Sequence, residues 1–172
     1  MSVVRPLEPS DIDAVLAITA DAPEASTWSR EAYERLASTT ACGQYEQGFC
    51  QVMEQEGRVA GFVCYRVTGD QAELLNLAVH PSFRRQGVGS QMLEETLAAT
   101  ARQGATRIFL EVRHSNTPAL RFYERHGFQV CGRRPGYYAN PPEDALELTR
   151  QLPGEEPLTA PSPFGISGSH SS

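Results

Sequence analysis

The chain contains no lysine, because all fifteen of its basic residues are arginine. A phosphate-binding P-loop of the form GxxxxGK[ST] is therefore excluded, since its lysine is missing. A dinucleotide-binding GxGxxG loop is excluded as well, because Met92 stands where the last glycine is required. Two common nucleotide-binding loops are thus ruled out.

Long apolar runs and patterned cysteines are also missing. No run approaches the roughly 18 apolar residues of a membrane-spanning helix, and the start MSVVRPLEPSD lacks the apolar segment of a secretory signal. The cysteines at positions 42, 50, 64 and 131 show neither CxxC nor Cys/His ligand spacing. We therefore predict a cytoplasmic protein with reduced thiols, no metal site and no membrane association.

Charge and length narrow the class of ligand and of fold. A net charge of −6 argues against nucleic acid as the main ligand and favours a basic partner through long-range attraction. At 172 residues and 40% hydrophobic composition, the chain is long enough for one domain with a substantial core. We predict a folded domain over residues 1–152. Residues 153–172, with four Pro, three Gly and five Ser, are predicted to form a disordered tail.

Hydrophobic periodicity predicts an α/β protein with the element order β-α-α-β-β-β-α-β-α-β-β, a mixed sheet with helices on its faces. Ser10 and Asp13 have the spacing of a capping box at the start of the first helix. The second helix is predicted to begin at Ser29, with Trp28 and Tyr33 as a hydrophobic staple around that cap.

The segment HPSFRRQGVGSQMLEETL places two arginines and two glycines where a strand is followed by a helix. Glycines allow a close approach of the main chain to a ligand, and the helix start offers unpaired N–H groups to an anion. Arginines beside it suit a phosphate. The segment predicts a phosphorylated ligand, although an ordinary strand-to-helix turn with solvated arginines is an equal alternative from this loop alone.

The loop Arg84-x-x-Gly87-x-Gly89, combined with LEVRHSNTPALRFYERHGF, resembles the Gcn5-related N-acetyltransferases over about residues 3–152. The segments LLNLAVHPSFRRQGVG, FYERHGF and RRPGYY followed by EDALEL are similar to the RimI-type branch, the ribosomal-protein-alanine N-acetyltransferases. This resemblance implies the GNAT fold, a mostly antiparallel sheet of about seven strands flanked by about four helices. It also implies acetyl-CoA as co-substrate, without a metal.

The resemblance implies where coenzyme A would bind. The pyrophosphate would lie on the backbone amides of residues 85–90, and the pantetheine arm would bind the strand edge at residues 77–79 as an added strand does. Asn116 would also touch the cofactor, although taken alone it is typical of a helix N-cap. The implied cofactor-binding residues are Leu77, Ala78, Val79, Arg84, Arg85, Gln86, Gly87, Val88, Gly89, Ser90 and Asn116.

Two residues are candidates for proton transfer. Glu111 is a charged residue in the apolar strand IFLEVR, and the resemblance implies that it accepts the proton of the attacking amine. The alternative is a residue on the solvent face of an alternating strand. Tyr123 lies two helical turns after Asn116, and the resemblance implies that it protonates the departing thiolate. The alternative interpretation of Tyr123 is an aromatic residue of the core whose hydroxyl contacts water.

The acceptor is the least determined part of the prediction. By analogy with the RimI-type branch, Trp28, Tyr137 and Tyr138 would line the acceptor groove. The predicted acceptor is a basic protein N-terminus, alanine of a small-subunit ribosomal protein. Acetylation of a small-molecule amine is the first alternative, since fold and cofactor site would be the same. A non-catalytic acyl-CoA sensor is the second, and it would need neither Glu111 nor Tyr123.

Overall fold

The computed structural model describes residues 2–22, 25–38 and 47–153. Cys42 and residues 154–172 of the predicted tail lie outside this part of the chain. The strands are β1 (Ser2–Pro6), β2 (Gln47–Gln55), β3 (Arg58–Thr68), β4 (Gln71–Val79), β5 (Arg107–Arg113), β6 (Gln129–Ala139) and β7 (Pro142–Gln151). The α-helices are α1 (Ile12–Ala20), α2 (Arg30–Ser38), α3 (Val88–Arg102) and α4 (Thr117–Arg125). The predicted α/β class and element order are confirmed.

The strands form one sheet of seven in the order β1-β2-β3-β4-β5-β7-β6. Every neighbouring pair is antiparallel except β4 and β5, which run parallel because α3 carries the chain back between them. Strand β7 lies between β5 and β6, so the last hairpin is placed next to β5. The prediction of a mixed, mostly antiparallel sheet is confirmed.

The start of α1 differs from its prediction. The capping box forms between Glu8 and Asp11 around a short 3₁₀ turn, so the prediction of a box between Ser10 and Asp13 is wrong. The carboxylate of Asp11 accepts hydrogen bonds from Nη1 and Nη2 of Arg5 at 2.7 and 2.9 Å. This arginine on β1 lowers the pKa of Asp11. The ion pair with Arg5 therefore stabilises Asp11 as a member of the capping box, in place of the pair of Ser10 and Asp13 that the sequence spacing suggested.

The start of α2 agrees with its prediction. The Ser29 Oγ accepts a hydrogen bond from the Ala32 N–H at 3.3 Å, as an N-cap does. The rings of Trp28 and Tyr33 lie 5.5 Å apart, which is the contact expected of the hydrophobic staple. Tyr33 in turn meets Phe62 of β3 edge to face at 5.9 Å. The staple thus fastens α2 to the sheet.

The sheet separates two layers of core. Alternate residues of β3 face opposite sides: Phe62 and Cys64 pack with α1 and α2, and Val63 and Tyr65 pack with α3 and α4. We call these the α1/α2 face and the α3/α4 face. All four of these β3 side chains are buried, which places β3 at the centre of the molecule.

A β-bulge interrupts β4 at Leu75. Tyr65 pairs with Leu74 and Cys64 pairs with Asn76, so Leu75 is passed over in the register. Leu74 before the bulge and Leu77 after it both pack on the α3/α4 face. In a regular strand, residues an odd number of positions apart face opposite sides, so the bulge reverses the alternation of β4. The pairing of β4 with β5 runs from Gln71 to Glu73 and stops before the bulge, both strands lying wholly within the described residues. A gap therefore separates the carboxyl-terminal halves of β4 and β5.

The close packing of α3 on β3 leads to a prediction for Gly61. A Cβ added there would lie 2.7 Å from Met92 Cε and 2.9 Å from the main-chain oxygen of Ala78. The methionine can move, but the carbonyl is fixed by the sheet. We expect Gly61→Ala to lower the free energy of unfolding by about 1–3 kcal/mol, the usual cost of overpacking a core.

Gly132→Ala is the matched control, because its Cβ would meet Glu147 Cβ at an ordinary 3.7 Å. Urea denaturation of both variants measures the difference. Equal stability of Gly61→Ala and Gly132→Ala would contradict this description of the packing.

Candidate functional site

The gap between β4 and β5 contains a narrow cavity of about 80 Å³, which we call the throat. It is lined by residues 25–26, 74–77 and 110–113, together with Asn116, Ala119, Tyr123 and Tyr138. Because the strands on its two sides are not paired there, the throat can be reached from both faces of the sheet. Such an opening lets two reactants approach one point from opposite sides.

A larger cavity adjoins the throat on each face. The helix-side cleft, of about 220 Å³, lies against α3 and α4 and shares Leu77, Asn116, Ala119 and Tyr123 with the throat. The carboxylate cavity, of about 460 Å³, lies on the α1/α2 face and shares Leu110 and Glu111 with it. The carboxylate cavity is lined by Arg66, Thr68, Gln71, Ala72, Glu73, Phe109, Leu110, Glu111, Arg134 and Glu147.

The edge of β4 forms one wall of the helix-side cleft. Leu77, Ala78 and Val79 lie there with Arg84 and Gly89, so the structure brings these predicted cofactor residues together. This part of β4 pairs with β3 on one side and faces the gap on the other. A strand edge that faces a cleft can bind an extended ligand through its main chain. The Arg84 side chain folds back over this edge, with Nε 3.4 Å from the Val79 oxygen.

The start of α3 forms the end of the same cleft. Gly87 is the N-cap with φ +78°, a left-handed conformation that favours glycine. The first helical hydrogen bond runs from the Gln91 N–H to the Gly87 oxygen at 3.0 Å. The N–H groups of Val88, Gly89 and Ser90 precede that donor, so the helix itself offers them no acceptor. Together with the helix dipole they can bind an anion.

The remaining residues of the loop surround this helix start. Arg85 has φ +62° and, like Gln86, is exposed. The Gln86 side chain donates from Nε2 to the Ser82 oxygen at 3.2 Å, which closes the turn. Arg85 therefore lies beside the unpaired N–H groups, free to add its charge to a bound phosphate.

Asn116 has the structural role that its residue type suggests and also lies at the site. Its Oδ1 accepts a hydrogen bond from the Ala119 N–H at 3.2 Å, which caps α4. The same residue lines both the throat and the helix-side cleft. The N-cap interpretation is confirmed, and contact with a cofactor stays a prediction.

Tyr123 lies where the throat meets the helix-side cleft. Its ring packs edge to face against Phe122 at 5.1 Å and Phe128 at 5.5 Å, and the side chain is buried. Burial raises the pKa of its hydroxyl above the ordinary value for a phenol. The hydroxyl therefore stays protonated at neutral pH and can donate a proton or a hydrogen bond.

Glu111 lies at the junction of the throat and the carboxylate cavity. Its side chain is 16% exposed, and its Oε1 lies 3.0 Å from Arg134 Nε. The Tyr137 hydroxyl also donates to this carboxylate, which raises the pKa of Tyr137 to about 12. Glu111 is thus held by two side chains of β6 and is not a free residue on the solvent face of its strand.

Arg134 was missed by sequence reasoning. It bridges Glu111 of β5 and Glu147 of β7, with its Nη2 3.3 Å from Glu147 Oε2. The two carboxylates are direct partners across the β5–β7 pair. Only the sheet order, in which β7 is inserted between β5 and β6, brings them next to each other.

Asn76 is the second residue that sequence reasoning missed. Its Nδ2 donates to the Ser26 oxygen at 3.0 Å, and this places the segment before α2 at the throat. It is 6% exposed and lies within the apolar run ELLNLAV, so it had the appearance of a core position. Because the bulge at Leu75 reverses the alternation of β4, the Asn76 side chain lies on the face where it can donate to Ser26.

The three predicted acceptor residues lie in different places. Tyr138 lines the throat, with the Arg113 guanidinium 4.1 Å from its ring centre. Tyr137 is half exposed, packs on Tyr138 at 5.0 Å and contacts Glu111. Trp28 lines another cavity, of about 500 Å³, which lies beside α2 and shares Leu75 with the throat. The two tyrosines therefore lie next to Glu111, whereas Trp28 lies in a different cavity, and contact of these three residues with an acceptor stays a prediction.

Metal ligands and membrane-spanning helices concern the described residues alone. Within that part of the chain, no group of three or more His, Cys, Asp or Glu side chains is arranged to hold a metal ion. No helix there is long and apolar enough to cross a membrane.

Comparisons with known proteins point to one family. Residues 12–128 match the model of the acetyltransferase (GNAT) family. The ribosomal protein bS18-alanine N-acetyltransferase of Escherichia coli strain K12 is 34% identical over 138 residues, 80% of this chain and 88% of that protein.

Solved structures agree with the sequence comparisons. The crystal structure of the ribosomal-protein-S18-alanine N-acetyltransferase from Escherichia coli has a TM-score of 0.72 at 30% identity, covering 91% of this chain and 98% of that one. Ard1 from Thermoplasma volcanium has a TM-score of 0.75 at 27% identity, covering 88% and 98%. The family match covers more than half of the chain, and the structural matches cover most of it.

Proposed function

The chain belongs to the acetyltransferase (GNAT) family and is an N-acetyltransferase, and we propose that its acceptor is the α-amine of a protein N-terminus. Alanine of a small-subunit ribosomal protein is the proposed acceptor residue. One observation carries this choice: a ribosomal protein bS18-alanine N-acetyltransferase matches 80% of the chain at 34% identity. The same acceptor places the reaction in the cytoplasm, where ribosomes act.

Acetyl-CoA, the acetyl donor of this family, supplies the acetyl group as a thioester. The residues of the helix-side cleft fit the chemistry of this donor. The open edge of β4 at residues 77–79 offers main-chain groups to its amide-containing arm. The unpaired N–H groups at the start of α3 suit its diphosphate, with Arg85 beside them. We propose that Asn116, which lines the same cleft, contacts the arm.

The carboxylate cavity suits a basic acceptor. Its lining carries three glutamates against two arginines, so its formal charge is negative. The whole chain carries a net charge of −6, which attracts a basic polypeptide at long range. We propose that the acceptor N-terminus enters through this cavity, passes Tyr137 and Tyr138, and reaches the throat from the face opposite to the donor.

Glu111 is the proposed proton acceptor. An α-amine has an ordinary pKa near 7.7–8.0, so most of it is protonated at neutral pH. The amine must lose this proton before its nitrogen can attack the thioester. A carboxylate at the throat can take that proton, directly or through one water. Arg134 and the Tyr137 hydroxyl fix the direction of this carboxylate, which is the support that a positioned base needs.

Tyr123 is the proposed proton donor to the departing sulfur. A thiol has an ordinary pKa near 8.5 and a phenol near 10, and burial moves that of Tyr123 further up. The phenol is therefore fully protonated when the thiolate begins to form. Its position between throat and helix-side cleft is on the donor side, whereas Glu111 is on the acceptor side.

Mass spectrometry of acceptor peptides tests the proposed function. We expect the protein with acetyl-CoA to acetylate the α-amine of a basic peptide that begins with alanine. A matched peptide whose α-amine is blocked but which keeps a lysine ε-amine is the control, and it should stay unmodified. Acetylation of spermidine or of free amino acids in preference to the alanine peptide would instead support the alternative, a small-molecule acceptor.

The assigned proton transfers predict different pH profiles for two variants. Glu111→Gln keeps the shape and removes the base, so kcat at neutral pH should fall by about 10²–10⁴-fold. The loss should shrink as the pH rises, because the amine then loses its proton without help. Tyr123→Phe should lower kcat with no recovery at high pH, because the departing sulfur still lacks its proton donor.

Steady-state kinetics across the pH range measure both profiles. Isothermal titration calorimetry with acetyl-CoA is the control, since neither substitution should change affinity for the donor by much. Wild-type turnover of Glu111→Gln at neutral pH would remove Glu111 from the mechanism. Full activity of both variants would mean that solvent carries both protons.

A further inference from the structure

Three polar side chains form a chain of contacts beside the start of α3. Ser90 Oγ lies 3.1 Å from His126 Nε2. The other ring nitrogen of His126, Nδ1, lies 3.1 Å from Glu94 Oε1. Ser90 and Glu94 are one turn apart on α3, whereas His126 comes from the end of α4. Ser90 also carries one of the unpaired N–H groups that the proposed function assigns to the diphosphate.

His126 is held firmly in this position. It is the C-cap of α4, and its side chain is only 17% exposed. Its ring lies 4.8 Å from that of Phe122, centre to centre, and its carbonyl accepts a hydrogen bond from Arg150 Nη1 at 2.7 Å. The imidazole is therefore fixed beside Ser90, whereas its other partner, the Glu94 carboxylate, belongs to a side chain that is 58% exposed.

The contact with Glu94 fixes which ring nitrogen carries the proton. An ionised carboxylate only accepts hydrogen bonds, so Nδ1 must be the donor to Glu94. In the neutral ring Nε2 then has no proton, and the Ser90 hydroxyl donates to it. In the protonated ring Nε2 donates to Ser90 Oγ, and the hydroxyl proton is released to point elsewhere.

We propose that His126 is a positioning residue for coenzyme A: when protonated, it turns the Ser90 hydroxyl from the imidazole toward the diphosphate at the start of α3. The proposal rests on the donor half of the proposed function. Protonation has two favourable effects, since it frees one hydrogen-bond donor for the anion and adds a positive charge nearby. In a chain without lysine, such a charge supplements the arginines of the loop.

The order Ser–His–Glu is also that of a hydrolase triad, but the placement of Ser90 argues against nucleophilic attack. Ser90 lies at the helix start, where an anion binds, and Tyr123 lies at the throat, where the thioester is proposed to react. The hydroxyl is therefore assigned to binding of the donor and not to transfer of its acetyl group.

The charged neighbours of His126 determine the direction of the pH effect. Glu94 of α3 contacts its ring, Arg150 of β7 contacts its carbonyl, and Arg125 precedes it on α4. Protonation turns the imidazole into a cation beside the start of α3, where an anion binds. Affinity for the diphosphate should therefore be highest at low pH and fall as His126 loses its proton.

Calorimetric titration with 3′-dephospho-coenzyme A tests this proposal. This probe keeps the diphosphate and lacks the 3′-phosphate, whose own titration near pH 6 would complicate the result. Between about pH 5.5 and about pH 8 we expect the wild-type Kd to rise about threefold to tenfold, the effect of one ordinary hydrogen bond. Within this pH range, binding should take up a fraction of a proton, measured in two buffers of different ionisation enthalpy.

Three variants separate this role from a structural one. His126→Gln should bind with little dependence on pH and take up no proton, whatever its absolute affinity. Ser90→Ala should show a clearly smaller pH dependence than the wild type, because only the charge of the imidazole then acts on the diphosphate. His114→Gln is the matched control, because this histidine is exposed and lies outside the site, so it should keep the wild-type pH dependence. Ser90→Ala alone decides the question if His126→Gln does not fold.

Two results would overturn the proposal. One is a wild-type Kd that changes less than about twofold over this range, and the other is an unchanged pH dependence in His126→Gln or Ser90→Ala. No acceptor is present in these titrations, so the outcome is independent of which amine is acetylated. Absence of binding at every pH would contradict the donor half of the proposed function as well.

Discussion

The bulge at Leu75 creates the gap around which the site is built. A regular β4 would keep one alternation throughout and could continue its parallel pairing with β5 beyond Glu73. The extra residue reverses the alternation, places Asn76 on the α1/α2 face beside Ser26 and Tyr33, and leaves the end of β4 with an unpaired edge. A cleft, a strand edge for main-chain hydrogen bonds and an opening through the sheet all follow from this one change of register.

The two faces of the sheet then have different chemistry. On the α3/α4 face the groups that suit an anion belong to the main chain, the loop arginines and Ser90, and they lie at the start of one helix. On the α1/α2 face the carboxylates of Glu111 and Glu147 are held by Arg134 across neighbouring strands. A negatively charged donor and a basic acceptor can therefore be kept apart until they meet at the throat. Under the proposed function, each substrate enters from the face whose charge is opposite to its own.

Sequence reasoning succeeded where local signals were strong. The element order, the cap at Ser29 and the staple of Trp28 on Tyr33 depend on residues close together in the chain, and all were confirmed. The cap of α1 was assigned to the wrong pair, because Arg5 on β1 stabilises Asp11 through contacts that spacing does not reveal.

The site was predicted less completely than the fold, because its remaining parts depend on the register of strands. The run ELLNLAV is apolar on both sides of the bulge, so no residue type marks Leu75 as the place where the alternation changes. The Arg134 contact with Glu111 depends on β7 lying between β5 and β6. Ser90 and His126 are far apart in the sequence, and the packing of α4 against α3 brings them together.

The most direct test of the whole account is a crystal structure with a bisubstrate analogue, coenzyme A joined through an acetyl linker to an alanine-initiated peptide. The account predicts the linker in the throat, with the coenzyme A arm along residues 77–79 on the α3/α4 face and the peptide beside Glu111 on the other. A peptide that left the throat on the same face as coenzyme A, or a linker away from the gap between β4 and β5, would contradict it.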